Sequence, residues 1–105
     1  MRVSMLNGAR QLCIFDQFCD PGVGAPVHFH AVEEVLEIVE GTAEIQSREE
    51  IVIVNAGQSV LIPAGMKHGF RNLGESTLHV RATLAAPFFE AMYETGETLR
   101  RWYAR

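Results

Sequence analysis

Basic charge is scarce in this chain: 9 Lys and Arg stand against 13 Asp and Glu, leaving a formal net charge of −4. Proteins grip polyanions by displacing counterions with cationic side chains, so nucleic acid is not an expected partner. Long hydrophobic runs are missing as well. Stretches such as 51–54 fall far short of the roughly 20 apolar residues needed to cross a bilayer. Residues 1–15 are interrupted by Asn7, Gly8 and Arg10, so neither a membrane segment nor an export signal is expected, and the cytoplasm is the expected location. Cysteine is limited to Cys13 and Cys19. In one extended segment their Cα atoms would lie about 20 Å apart, well beyond the about 7 Å that a disulfide tolerates. Both are expected to be small buried hydrophobes in a reducing compartment.

Several catalytic signatures are also lacking. There is no phosphate loop, nucleophile elbow or paired-cysteine zinc motif. The run GVGAPV begins like a dinucleotide loop, but Val27 stands where the third glycine is needed and no helical pattern follows.

What is present is ordinary globular material. With 105 residues, 48% hydrophobic and 21% charged, residues 1–105 are expected to form one domain with one core. Turn residues punctuate the chain at short intervals: Asn7-Gly8, Asp20-Pro21-Gly22, Gly41, Ser47 to Glu50, Asn55-Ala56-Gly57, Pro63-Ala64-Gly65 and Asn72 to Ser76. The segments between them are rich in Val, Ile, Leu, Phe and Thr. They predict strands over 11–18, 26–30, 34–40, 42–46, 51–54, 59–62, 68–72 and 77–84, an all-β sandwich or barrel. From Pro87 onward the apolar residues Phe88, Phe89, Met92, Tyr93, Leu99, Trp102 and Tyr103 recur at threes and fours, which predicts a short C-terminal helix. Val27 and Phe29 oppose His28 and His30, and Val35 and Val39 oppose Leu36 and Ile38. Strands that are apolar on both faces in so small a chain predict a homodimer.

Chemistry concentrates in two stretches. In PVHFHAVEEVLEIVEG, residues 26–41, strand alternation turns His28 and His30 to the same face. By the same parity Glu34 joins Leu36 and Ile38 facing inward, while Glu33 does not. Neutral imidazoles with one carboxylate suit borderline divalent metals. The His pair alone reads more readily as a solvent-facing polar strand face than as a metal site, by about three to one. In GQSVLIPAGMKHGFRN, residues 57–72, His68 opens a strand after a Pro-Ala-Gly turn.

Together these stretches resemble the two conserved motifs of the cupin superfamily. Gly22, His28, His30, Glu34 and Gly41 match the first motif, and Gly57, Pro63, Gly65, His68 and Asn72 match the second. A chance match at all ten positions is on the order of 10⁻¹³ for residue types used at about 5% each, so coincidence does not explain it. The resemblance implies an antiparallel jelly-roll β-barrel with His28, His30, Glu34 and His68 converging on one divalent transition metal ion (Mn, Fe, Ni or Zn). It further implies a small-molecule substrate and an enzyme of dioxygenase or oxidoreductase type, because an octahedral ion with four protein ligands keeps two positions open. A non-catalytic metal- or ligand-binding module and a cupin isomerase or lyase stand as alternatives. Gly41, Gly57 and Gly65 are expected at tight turns with positive φ. Asn72 is expected to close a turn, and Phe70 reads either as an apolar wall of the pocket or as a plain core residue. Glu37 occupies a position where relatives often carry an aromatic residue, and no residue beyond the four ligands is assigned a catalytic role. His79 and Arg81 share a face of their strand, which reads either as an outer solvated face or as an anion-binding lining.

Overall fold

A computed structural model describes residues 1–47 and 50–101. Ten strands follow one another: β1 (Cys13–Cys19), β2 (Gly24–Phe29), β3 (Glu34–Glu40), β4 (Thr42–Ser47), β5 (Glu50–Asn55), β6 (Ser59–Ile62), β7 (His68–Asn72), β8 (Leu78–Leu84), β9 (Phe89–Tyr93) and β10 (Thr98–Arg101). They form two antiparallel sheets in the orders β1-β8-β3-β6 and β10-β9-β2-β7-β4-β5. This is the expected all-β jelly-roll architecture.

Alternation explains the layering. On β3, Glu34, Leu36 and Ile38 are buried, and on β8 Leu78, Val80, Ala82 and Leu84 are, each buried residue separated by a less buried one. All of these but Glu34 meet Ala43, Ile45, Val54 and Phe70 of the other sheet in one apolar core. Each Val, Leu, Ile or Phe side chain removed from water there contributes about 1.5–3 kcal/mol, and no slip of one residue is tolerated, since it would turn the whole row outward. Gly41, Gly57 and Gly65 have φ of 94°, 87° and 79°, as expected of the turns they occupy. Asn72 closes its turn: Nδ2 donates to the carbonyls of Cys19 (3.0 Å) and Ser76 (2.7 Å), and Oδ1 accepts from the N–H of Gly74 (2.8 Å). Cys13 and Cys19 are buried free thiols.

One expectation is corrected. The segment after Pro87 is not a helix but the hairpin β9–β10, with Leu99 opposite Ala91 and Arg101 opposite Phe89. Phe89, Ala91 and Tyr93 also satisfy a period of two, and aromatic residues fit a pleated, half-buried surface. Gly96, with φ 89°, makes the turn, its N–H donating to the carbonyl of Tyr93 at 2.9 Å. The unpaired edge of β2 supplies the decisive contact, pairing His28 with Tyr93 and Phe29 with Met92. Trp102 and Tyr103 lie outside the described residues. Among the described residues, no helix is long and apolar enough to cross a membrane.

Candidate metal centre

The two motif segments meet between the sheets. His28 stands on β2 directly opposite His68 on β7, with ring centroids 4.4 Å apart. His30 follows the end of β2, and Glu34 opens β3 on the facing sheet. All four side chains are buried, at 6%, 2%, 3% and 1% exposure for His28, His30, Glu34 and His68. Glu33 is exposed, as parity requires.

Each imidazole is oriented through Nδ1. His28 Nδ1 lies 2.6 Å from the Pro26 carbonyl, His30 Nδ1 2.6 Å from the Glu90 carbonyl and His68 Nδ1 2.9 Å from the Met66 carbonyl. A carbonyl accepts only, so Nδ1 carries the hydrogen in each ring and Nε2 is left to face the centre. The pairing register of β2 with β7 shifts between Ala25 and His28. Pro26, which has no N–H to give a ladder, sits inside that irregularity.

The donor atoms of the four residues all lie within 4.8 Å of one another. Two donors on opposite sides of one ion span about 4.2 Å, so a contraction of a few tenths of an ångström completes the set. Glu34 Oε1 lies 2.9 Å from His68 Nε2 and 3.3 Å from His30 Nε2. The second contact is close enough to pair charges but is not aligned as a hydrogen bond, so the buried His30 Nε2 has no hydrogen-bonding partner among the described residues. A carboxylate and imidazole lone pairs confined together need a cation or protons between them. These residues therefore fit a metal ion.

The electrostatics follow from the same crowding. Burial pushes the His28 imidazole down to about 4, against its bond to the Pro26 carbonyl. Burial also opposes charge on His30, but the adjacent Glu34 carboxylate outweighs it and lifts that imidazole above its ordinary value. For Glu34, burial alone would raise the carboxyl; His30 and His68 reverse this and hold it low.

Beside the donors lies a void of about 30 Å³, touched by His28, Glu34 and His68, about the room of one water molecule. It adjoins a funnel of about 440 Å³ between β1 and the β9–β10 hairpin. Phe70 walls both spaces, the first of its two readings, and Phe15, Gln17, Phe89 and Tyr93 do so too. Phe15 and Phe89 meet edge to face at 5.2 Å, linking the two sheets above the donors. Gln17 Oε1 is buried without a hydrogen-bonding partner among the described residues, a situation that costs about 1–3 kcal/mol until a donor reaches it. Burial raises the Tyr93 phenol, with the Arg101 charge working against it. None of Phe15, Gln17, Phe89, Tyr93 or Arg101 lies between the motifs. The available signal for Gln17 was its parity: it is the polar member of the inward row Cys13, Phe15, Gln17, Cys19.

His79 and Arg81 are on the outer face of β8 and do not line the barrel. His79 Nε2 and Arg81 Nε lie 2.7 and 3.2 Å from Asp16 Oδ1, and Arg2 also pairs with Asp16. Burial would raise the Asp16 carboxyl, but these partners hold it below its usual range. Phe18 stacks on His79 at 4.3 Å.

A two-sheet β-barrel with three imidazoles and a carboxylate turned inward from two separate turns defines a class of small barrels with a cluster that could hold a metal ion. A family model for the cupin domain matches residues 17–85, about two thirds of the chain, and the chain belongs to that family. It is 37% identical over 59 residues to a mannose-1-phosphate guanylyltransferase of Salmonella montevideo, covering 56% of this chain but only 12% of that protein. An uncharacterized Klebsiella pneumoniae protein with a double-stranded β-helix domain superposes with a TM-score of 0.71 at 16% identity, over 89% of this chain and 76% of the other. A recombinant oxalate oxidase in complex with glycolate gives a TM-score of 0.73 at 17% identity, over 79% of this chain and 46% of that one. At these identities the likeness of the two structures is one of fold.

Proposed function

We propose that this cupin is a metal-dependent small-molecule enzyme of oxidoreductase type, dioxygenase-like, with one divalent ion held by His28, His30, Glu34 and His68. The observation that carries this reading is the inward convergence of four buried donor atoms within 4.8 Å, with each imidazole oriented by a carbonyl on Nδ1. An ion of the Mn, Fe, Ni or Zn group bound there would supply Lewis acidity and, if redox-active, an electron-transfer centre. The chain's own residues do the rest. The carbonyls of Pro26, Glu90 and Met66 fix the ligating tautomers. Phe15, Phe70 and Phe89 exclude bulk water from the neck of the site. Tyr93, whose phenol burial raises further above its ordinary value, offers a hydrogen-bond donor at the same neck. That an oxalate oxidase shares the fold supports oxidation of small acids on this scaffold.

Free thiols at Cys13 and Cys19 fit a reducing compartment, and we assign the chain to the cytoplasm. We also propose a homodimer as its working form.

The test begins with metal analysis of protein purified without chelator. About one metal ion per chain is expected, and His30→Ala or Glu34→Gln should lower affinity beyond the about 10–100-fold typical of losing an outer-shell partner. Oxygen uptake by the Fe- and Mn-loaded protein with diketones, flavonols and hydroxy acids follows. Consumption that disappears in Glu34→Gln supports the enzyme. One ion per chain with no consumption by any loaded form overturns it in favour of a binding module.

A further inference from the structure

Resting on the reading of the donor cluster as a substrate-binding metal centre, we infer that the funnel selects a flat, hydroxylated acid: Gln17 Oε1 accepts the hydrogen of its hydroxyl, and Arg101 at the mouth pairs with its carboxylate. Gln17 borders both the small void at the donors and the larger funnel. Its amide oxygen is a buried acceptor without a hydrogen-bonding partner among the described residues. What it lacks is a donor, and a donor arriving there stands next to the metal ligands. A hydroxyl or an amine meets that need; an ether, a ketone or a carboxylate does not.

Arg101 supplies the other end. It lies opposite Phe89 in the β9–β10 ladder, which gives it the same facing as Phe89, Ala91 and Tyr93, and it lines the funnel. The arginine beside it in sequence, Arg100, faces the other way and pairs with Glu90. Asp16, an acid in the funnel's lining, is taken up by Arg2, His79 and Arg81, so Arg101 has no carboxylate partner among the described residues, and its guanidinium is suited to bidentate recognition of a carboxylate. Between the two ends the walls are Phe15, Phe70 and Phe89, with Leu99 beyond them. Aromatic walls in a space of about 440 Å³, within the usual size of small-molecule sites, favour a planar apolar body and leave a two-carbon diacid most of its surface without contact.

The test uses zinc-loaded protein, in which the ligand binds without being oxidised, and three probes read by isothermal titration calorimetry. These are 4-hydroxyphenylacetate, phenylacetate, which lacks the hydroxyl, and 4-hydroxyphenylacetamide, which lacks the charge. The wild-type protein is expected to bind the first about tenfold or more tightly than either of the others. Gln17→Leu should abolish the preference for the hydroxyl and keep that for the acid; Arg101→Gln should do the reverse. Arg101 is exposed and the probe series needs no variant, so a folding defect in Gln17→Leu leaves the inference testable. Equal binding of the three probes, or binding of none by protein holding one zinc per chain, overturns it. Selective binding with no oxygen uptake by the Fe- or Mn-loaded protein would sustain this inference while removing the oxygenase reading.

Discussion

At the scale of single residues, the site is governed by how little water reaches it. His28 is the side chain on which burial acts most openly, its imidazole pushed down to about 4 while a free histidine titrates near 6.5. In the metal-free protein the unfolded chain therefore takes up a proton at this position more readily than the folded one. Stability linked to His28 is intact above about pH 6.5 and is lost as pH falls toward 4. The shift corresponds to a loss on the order of 3 kcal/mol. Glu34, held low, loses stabilisation in the same direction at more acid pH. His30, held high, works oppositely: its charged form beside Glu34 stabilises the fold in acid and that contribution fades as pH rises through its folded pKa. Urea unfolding of the metal-free protein between pH 7 and pH 4.5 isolates the His28 contribution by comparison with His28→Gln. The wild type should lose more stability over this interval than the variant; equal losses would show that His28 is not held neutral by burial. The four donors are legible in the chain itself, because strand parity and turn spacing are local properties. Gln17 and Arg101 are not, because their roles depend on which strand edge faces which across the barrel.

At the scale of elements, the closeness of β2 to β7 decides whether the two halves of the site can meet. A Cβ built on Gly24 would stand 1.9 Å from the Phe70 carbonyl oxygen, whereas one on the motif glycine Gly22 would meet nothing within 4 Å. Gly22 has φ 80°, so alanine there costs the about 1–2 kcal/mol of a left-handed residue. Gly24→Ala must push the strands apart, costing about 3 kcal/mol or more, and it moves the strand that carries His28. Thermal melts should rank Gly24→Ala well below Gly22→Ala, and only the former should lose metal; equal melting temperatures would refute the tight approach. The same pairing explains what was legible in the sequence and what was not. The eight strands from β1 to β8 follow from alternation and turn chemistry, with boundaries shifted by up to two residues. The C-terminal hairpin was obscured because Phe88, Phe89, Met92, Tyr93 and Leu99 satisfy helical spacing as well as Phe89, Ala91 and Tyr93 satisfy alternation. Nothing local arbitrates between those patterns. The free edge of β2, assembled from a segment some 60 positions earlier, does, and in doing so it supplies the Glu90 carbonyl that orients His30.

At the scale of the whole molecule, closing two sheets over one core leaves an edge that pairs with no further strand among the described residues. In the six-stranded sheet, β5 is terminal and, among the described residues, pairs only with β4. Its residues Ile51, Val52 and Ile53 are 64%, 41% and 50% exposed. Natural edge strands are commonly blunted with lysine, proline or a covering loop, and β5 has neither lysine nor proline. Ile51 and Ile53 stand opposite Gln46 and Glu44, forming an apolar row at the margin of a polar one, the pattern of an interface centre with its rim. A stable dimer buries about 1,600 Å² in total, which an edge strand and the neighbouring sheet surface can supply from both copies. The expected outcome in multi-angle light scattering is a mass twice that of the 11.7 kDa chain. The double substitution Ile51→Glu, Ile53→Glu places like charges against each other across any symmetric contact through this edge. It should yield a monomer with an unchanged far-ultraviolet spectrum and undiminished metal content, since β5 contributes nothing to the four-donor cluster. A dimer that survives the double substitution would place the contact elsewhere, and a wild-type monomer at micromolar concentration would remove the dimer altogether.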